Sequence, residues 1–219
     1  MIRSGQPFGH HDAAPDDRYW QRYIRGQHEL ARLSAREVAR KLRLPRNSHS
    51  LLDIGGGHGW YAAELCRRHP RLTATVLDLP GSAAIGRQII AEAGMTERVR
   101  HRDANVTTVQ LGDIFDCVIC FNLIHHLAQD DIVGLFAKVH DALEKGGSFA
   151  VMDAFAEPSY RKSAAANFLA MFVYLSSGAQ VYTPVQLHGW FREAGFSPPR
   201  RLSILRIPGQ AMYVAKKTG

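Results

Sequence analysis

The sequence predicts an α/β domain: a seven-stranded mixed sheet, six strands parallel and one antiparallel, with helices on both faces and a short N-terminal helical extension. Three observations predict it. From Ser50 onward, short apolar runs alternate with segments of helical period, the pattern of a parallel sheet wrapped by crossover helices. The last two apolar runs are separated only by residues 206–210, too short a connection for a crossover, so they form a hairpin and make the sheet mixed. Finally, Leu51-Leu52-Asp53-Ile54 runs directly into Gly55-Gly56-Gly57-His58-Gly59-Trp60, which reads as strand, tight turn and helix start.

In chain order, residues 1–17 are polar and rich in Gly, Pro and His. They lack the apolar centre of a secretory signal and read as a disordered tail. Residues 16–44 read as helical, in two pieces broken near Gly26. Ala31, Ala35, Val38, Ala39 and Leu42 form an apolar stripe suited to docking on a domain, and Pro45-Arg46-Asn47-Ser48 ends the segment. The division is therefore an extension at 18–48 and a main domain at 49–219. Strands are expected at 51–54, 73–77, 99–102, 117–122, 148–153, 201–205 and 211–215, and helices at 60–68, 81–93, 130–143 and 184–194. Gly146-Gly147 reads as a helix-to-strand turn. A small apolar helical insert at 155–180 interrupts the alternation.

With 219 residues and 46% apolar content, the chain can bury one sizeable core. No segment reaches the roughly 18 continuous apolar residues of a membrane span, so no membrane role is expected. Cys66, Cys117 and Cys120 are an odd set that suits a reducing cytoplasm. Cys117 and Cys120 have a Cys-x-x-Cys spacing, but on a strand such neighbours point to opposite faces, which reads as packing rather than redox or zinc chemistry. The net charge of +7 is concentrated at the front, where residues 1–50 carry ten Lys/Arg against five Asp/Glu. Arg18, Arg22, Arg25, Arg32, Arg36, Arg40 and Arg43 would form one basic stripe on a helix. That stripe reads as a solvated face, with an acidic partner or nucleic acid as the alternative.

The glycines at 55, 57 and 59 permit backbone angles closed to other residues and leave room for a ligand to touch the main chain. A glycine turn at a helix N-terminus is a nucleotide site. A dinucleotide fingerprint would place a glycine at position 60, where Trp60 stands. That bulk argues against a pyrophosphate, and so against a nicotinamide-dependent dehydrogenase, and favours S-adenosylmethionine.

The order of motifs then narrows the reading. The glycine turn is followed by Val76-Leu77-Asp78-Leu79-Pro80, Glu97-Arg98-Val99, Arg102-Asp103 and Asn122-Leu123-Ile124-His125-His126-Leu127. Leu143-Glu144-Lys145-Gly146-Gly147 and Gly189-Trp190-Phe191-Arg192-Glu193-Ala194-Gly195-Phe196 come after these. Over residues 50–217 this resembles the Rossmann-like class I S-adenosylmethionine methyltransferases, and within them the catalytic domain of plant and bacterial small-molecule O-methyltransferases. The resemblance implies that Asp78, at the end of the second strand, accepts the ribose hydroxyls. It implies that Leu79, Asp103, Ala104 and Asn122 line the cofactor site, that Gly55, Gly57 and Gly59 face the methionine part, and that Asp53 meets the cationic end. It implies His125 as general base, with Asp153 orienting it. His126, which replaces the family's acidic neighbour, is placed at the acceptor site or in a structural role.

There are departures. The family's second carboxylate, before the Gly-Trp helix, is absent, because that run reads Val181-Tyr182-Thr183. Metal-assisted members carry an acid at the fourth strand end and an Asp-Asn pair after the fifth. Here these places read Asn122 and Asp153-Ala154, so no metal is expected. The front is far shorter than the family's dimerisation domain; a homodimer is compatible with the resemblance, and Tyr19, Trp20 and Tyr23 are placed as a reduced lid or as plain helix packing. Phe155, Phe168, Met171, Phe172, Tyr174 and Leu175 on the insert suit a flat apolar acceptor such as a phenol or polyketide ring, part of the set being ordinary core. Three alternatives stay open: attack by nitrogen or carbon through proximity alone, a nucleic-acid or protein methyltransferase, and a non-catalytic cofactor-binding subunit. The nucleic-acid reading lacks the Asn/Asp-Pro-Pro-aromatic tetrad after strand four.

Overall fold

The computed structural model describes residues 13–45, 47–156, 168, 171, 174 and 180–218. Among these, β1 (Ser50–Ile54), β2 (Thr73–Asp78), β3 (Val99–Asp103), β4 (Phe115–Phe121), β5 (Leu143–Ala154), β6 (Arg200–Ser203) and β7 (Gln210–Lys216) form one sheet in the order β3-β2-β1-β4-β5-β7-β6. Pairings from β3 through β5 are parallel, and β7 runs antiparallel to both β5 and β6. Six strands therefore point one way and one the other, as the terminal hairpin predicts.

The inner strands are apolar because both of their faces are covered. Leu52, Ile54, Val118 and Cys120 point into one core with Phe136, Phe149 and Phe191. Leu51, Cys117 and Ile119 point into the other with Ala35, Val38 and Leu65. Cys117 and Cys120 thus sit on opposite faces as buried free thiols. The edge strands carry the charge instead: Arg100 and Arg102 on β3, Arg200 and Arg201 on β6, which blunts edge-to-edge pairing.

Helix α1 (Arg18–Lys41), α2 (Trp60–Arg68) and α3 (Pro80–Glu92) belong to the second core's side, and α4 (Gln129–Asp141) and α5 (Pro184–Glu193) to the first. Strand and helix bounds fall within about two residues of the expected ones, except at β5. That strand begins at Leu143, so Gly146 and Gly147 lie inside it rather than in a separate turn. Gly146 has φ +78°, and the β4–β5 register shifts between Phe115 and Cys117, so the glycines serve a bulge that keeps pairing with Lys217.

Two expectations at the front are corrected. Helix α1 is continuous through Gly26. A mid-helix glycine costs about 1 kcal/mol relative to alanine, but Trp20 and Ile24 on one side and Ala31, Ala35 and Val38 on the other are all buried on the same body, which holds both halves in line. The tail ends before residue 17: Ala14 accepts from the Trp20 indole Nε1 (2.9 Å), and the Asp17 carboxylate caps α1 by accepting from Tyr19 N–H (2.8 Å). The rest of that tail, residues 1–12, lies outside the described residues. Part of the basic stripe is neutralised by Arg25–Glu92, Arg32–Glu29 and Arg36–Glu64 pairs. Among the described residues no helix is long and apolar enough to cross a membrane.

The C-terminal half of α1 is tied to the β6–β7 hairpin by buried Glu37, which accepts from Leu205 N–H (2.9 Å), Arg206 N–H (3.1 Å) and the Lys41 ammonium (2.7 Å). Burial pushes this carboxyl up, but Lys41 and the two amides outweigh it and hold the pKa at about 2. A depressed carboxyl contributes stability above its ordinary value, near 4.5, and loses it as pH falls toward 2. Glu37→Gln should therefore lower the melting temperature at pH 7 by about 2–4 °C, with the difference closing between pH 4.5 and 2 in thermal melts.

Candidate active site

The β1–α2 turn is built by three glycines at positive φ: Gly55 (+66°), Gly57 (+45°) and Gly59 (+66°). Its neighbours press closely. A Cβ at Gly55 would come 2.8 Å from Leu123, and one at Gly56 would run into the Asp53 carboxyl at 2.4 Å. Asp78 holds the turn from the next strand. Its Oδ2 accepts from Gly57 N–H (2.7 Å) and its Oδ1 from Leu79 N–H (2.7 Å). Burial raises the Asp78 pKa to about 6 against the pull of those amides. Asp53 is buried beneath the turn, and its Oδ2 lacks a hydrogen-bond partner. Burial, and then the charge of Asp78, push this carboxyl up to about 8.

The other expected cofactor residues gather at the same sheet edge. Ala104 N–H donates to Asp78 O (2.8 Å), beside Leu79. Asp103 is paired with Arg87 at the surface. Asn122 directly follows β4 at φ +54°, the one non-glycine residue at positive φ among those described. Such a conformation persists only where its surroundings enforce it, and it tends to mark functional sites.

Helix α1 reaches this edge too. Trp20 fills the space over Gly81, where a Cβ would stand 2.3 Å from its Nε1, and Ile24 lies 3.4 Å from a Cβ placed on Gly57. Tyr23 stacks on Tyr19 at 5.2 Å. Burial, and then the charge of Asp78, push the Tyr23 phenol up to about 12.

Sequence reasoning passed over His101, Gly86 and His58. His101 Nε2 bonds Gly57 O at 2.9 Å, and this fits only because Gly86 has no Cβ to meet either atom. Burial lowers the His101 pKa to about 4, and lowers that of His58 to about 3 with help from His28 and His101. The glycines at 81 and 86, in a segment of helical pattern, were the available signal of close approach.

At the end of β4 a short 3-10 turn, Ile124–His126, carries the histidine pair. His125 Nδ1 lies 2.8 Å from Asp153 Oδ1 on β5, which also accepts from Ala154 N–H (2.7 Å), while Oδ2 lies 3.4 Å from His125 N. Against an ionised carboxylate, which only accepts, a neutral imidazole carries its proton on Nδ1 and keeps the lone pair on Nε2. The side chains are 12% and 2% exposed, so solvent competes little for this bond. The His126 ring lies 3.9 Å from that of His125, centroid to centroid. Among the described residues no group of three or more His, Cys, Asp or Glu could hold a metal.

The acceptor residues are less united. Phe155 is buried and packs edge-on against Tyr213 at 5.1 Å, so its ring belongs to the core. Phe168, Met171 and Tyr174 are helical and share one face by their spacing, but are 66%, 52% and 59% exposed. Phe172 and Leu175 lie outside the described residues.

The family model for the O-methyltransferase domain matches residues 4–197. The chain is 29% identical over 197 residues to 3-hydroxy-5-methyl-1-naphthoate 3-O-methyltransferase of Streptomyces sahachiroi, covering 90% of this chain and 55% of that protein. It is 31% identical over 159 residues to the tetracenomycin polyketide synthesis 8-O-methyl transferase of Streptomyces glaucescens, covering 71% and 46% respectively. An O-methyltransferase family protein from Burkholderia thailandensis has the same fold, with TM-score 0.84 and 19% identity over 100% of this chain and 66% of its own. The chain spans about half the length of the curated relatives it matches. On the strength of the family match and this geometry, the chain belongs to the O-methyltransferase domain family of S-adenosylmethionine-dependent methyltransferases.

Proposed function

We infer that this chain carries the catalytic site of an S-adenosylmethionine-dependent O-methyltransferase for a small aromatic or polyketide-like hydroxyl compound. The observation that carries this reading is the His125–Asp153 pair, 2.8 Å apart at the sheet edge beside the glycine turn. Naphthoate and tetracenomycin O-methylation by the named relatives supports the acceptor class.

The residues present fit the cofactor. The Asp78 carboxylate accepts two amides and keeps lone pairs for a ribose diol. The unpartnered Asp53 Oδ2 is a buried site that a cation would satisfy. Side chains at Gly55 or Gly56 would fill the crevice. When bound, S-adenosylmethionine supplies an already activated methyl group, so the protein's task is positioning and proton removal.

The Nδ1–H to Asp153 bond fixes the His125 tautomer, so Nε2 takes the proton from the acceptor hydroxyl. Asp153 then stabilises the imidazolium that forms. Leu123 and Ile24 wall the turn. Tyr23 and Trp20, packed along α1 against α3, act as a lid over the ribose end.

Three outcomes test this reading. His125→Ala should lower turnover on a panel of phenols and hydroxynaphthoates by roughly 10²–10⁴-fold with cofactor affinity unchanged; near-normal turnover would remove the base role. Asp78→Ala should weaken cofactor binding by about 1.5–3 kcal/mol in calorimetry; equal affinity would refute the ribose assignment. For Asp53, a folded pKa raised from 3.8 to about 8 means that stability is full at low pH and is lost as pH rises from about 4 to 8. Ligand-free Asp53→Asn should therefore outlast the native chain in thermal melts by a margin that widens across that window and is flat above it. A constant margin would show that Asp53 is ionised throughout.

A further inference from the structure

The family's second carboxylate is missing here, yet the His125 turn is held on its far side. Residues 180–182 run alongside it. Gln180 N–H donates to His125 O at 3.0 Å, and the Tyr182 hydroxyl donates to Leu127 O at 2.6 Å. The main chain of Tyr182 faces the other half of the dyad: its carbonyl accepts from Ala156 N–H at 2.9 Å, three residues beyond Asp153. One residue thereby cross-links the two segments that present His125 and Asp153.

Tyr182 itself is anchored. It is 4% exposed, its ring meets Trp190 edge-on at 4.9 Å, and the next residue, Thr183, closes a capping box with Gln186 at the start of α5. A hydroxyl on a ring so confined has little freedom to lose when it bonds, which makes it a stiff tether.

We propose that Tyr182 is a positioning residue for His125, its hydroxyl clamping the Leu127 carbonyl so that the imidazole stays aimed at the acceptor in place of the missing carboxylate. This rests on the reading of His125 as base. It also accounts for a site that keeps one orienting carboxylate. Asp153 sets the tautomer from β5, and Tyr182 sets the height of the turn from the α5 side.

The test uses the full chain labelled at histidine nitrogen, following solvent exchange of the Nδ1–H proton of His125 by NMR. Tyr182→Phe keeps the ring on Trp190 and removes only the hydroxyl. Exchange should speed about tenfold, and kcat on the phenol panel should fall by a similar factor, with KM for the cofactor unchanged. A chain carrying 4-aminophenylalanine at position 182, which keeps a donor at the same place on the same ring, should stay closer to the native value than Tyr182→Phe. Should Tyr182→Phe fail to fold, comparing chains with 4-aminophenylalanine and 4-methylphenylalanine at position 182, alike in shape and different in the donor, takes its place.

Exchange and kcat within twofold of native would overturn the proposal. So would a loss that falls equally on cofactor affinity and melting temperature, since that is loosening of the whole domain. Failure of the base reading looks different: His125→Ala would retain turnover while Tyr182→Phe still freed the imidazole proton.

Discussion

The bond from Gly57 N–H to the Asp78 carboxylate is the contact on which the rest of the site depends. It joins the glycine turn after β1 to the end of β2, two points that also meet where Gly55 N–H donates to Leu77 O at 2.8 Å. With it in place, Gly57 O is presented to His101 from β3. Three adjacent strand ends are thereby locked to one loop. The cost is burial of a second carboxyl, Asp53, under the same turn with an oxygen unsatisfied. A polar group left in that condition destabilises the fold unless something binds it.

The second half of the site obeys a different constraint. The proton removal proposed for His125 needs a fixed tautomer and a fixed direction, and these are separate requirements. Asp153 meets the first from the middle of the sheet, where β5 is flanked by β4 and β7 and cannot shift. The second falls to contacts on the short turn itself, made by the segment leading into α5. Splitting the work between a rigid strand and a capped helix start means that neither element has to move for the other to hold its residue.

Helix α1 shows how packing overrides local preference. Gly26 marks a weak point in isolation, and a sequence reading breaks the helix there. The fold docks Trp20 and Ile24 against α3 and Ala31, Ala35 and Val38 against α2, while Glu37 ties the C-terminal half to the hairpin. Many side chains of burial outweigh roughly 1 kcal/mol of backbone preference. The same docking brings a charged, seemingly free helix against the glycine turn after β1.

Much of this was legible from one sequence. Alternation of apolar runs and helical periods settled the sheet and its final hairpin, because side-chain periodicity must match the faces that are buried. The glycine spacing and Asp78 were legible because a close backbone approach admits few residue types. Partners distant in the chain were not: His101 on Gly57, Tyr182 on Leu127, and Tyr213 against Phe155, one of a set read as part pocket and part core. A residue's type tells what bond it can make and its local period tells which face it takes. Which carbonyl, carboxylate or ring stands opposite follows only from how the elements cross in space, and that was decided by tertiary packing.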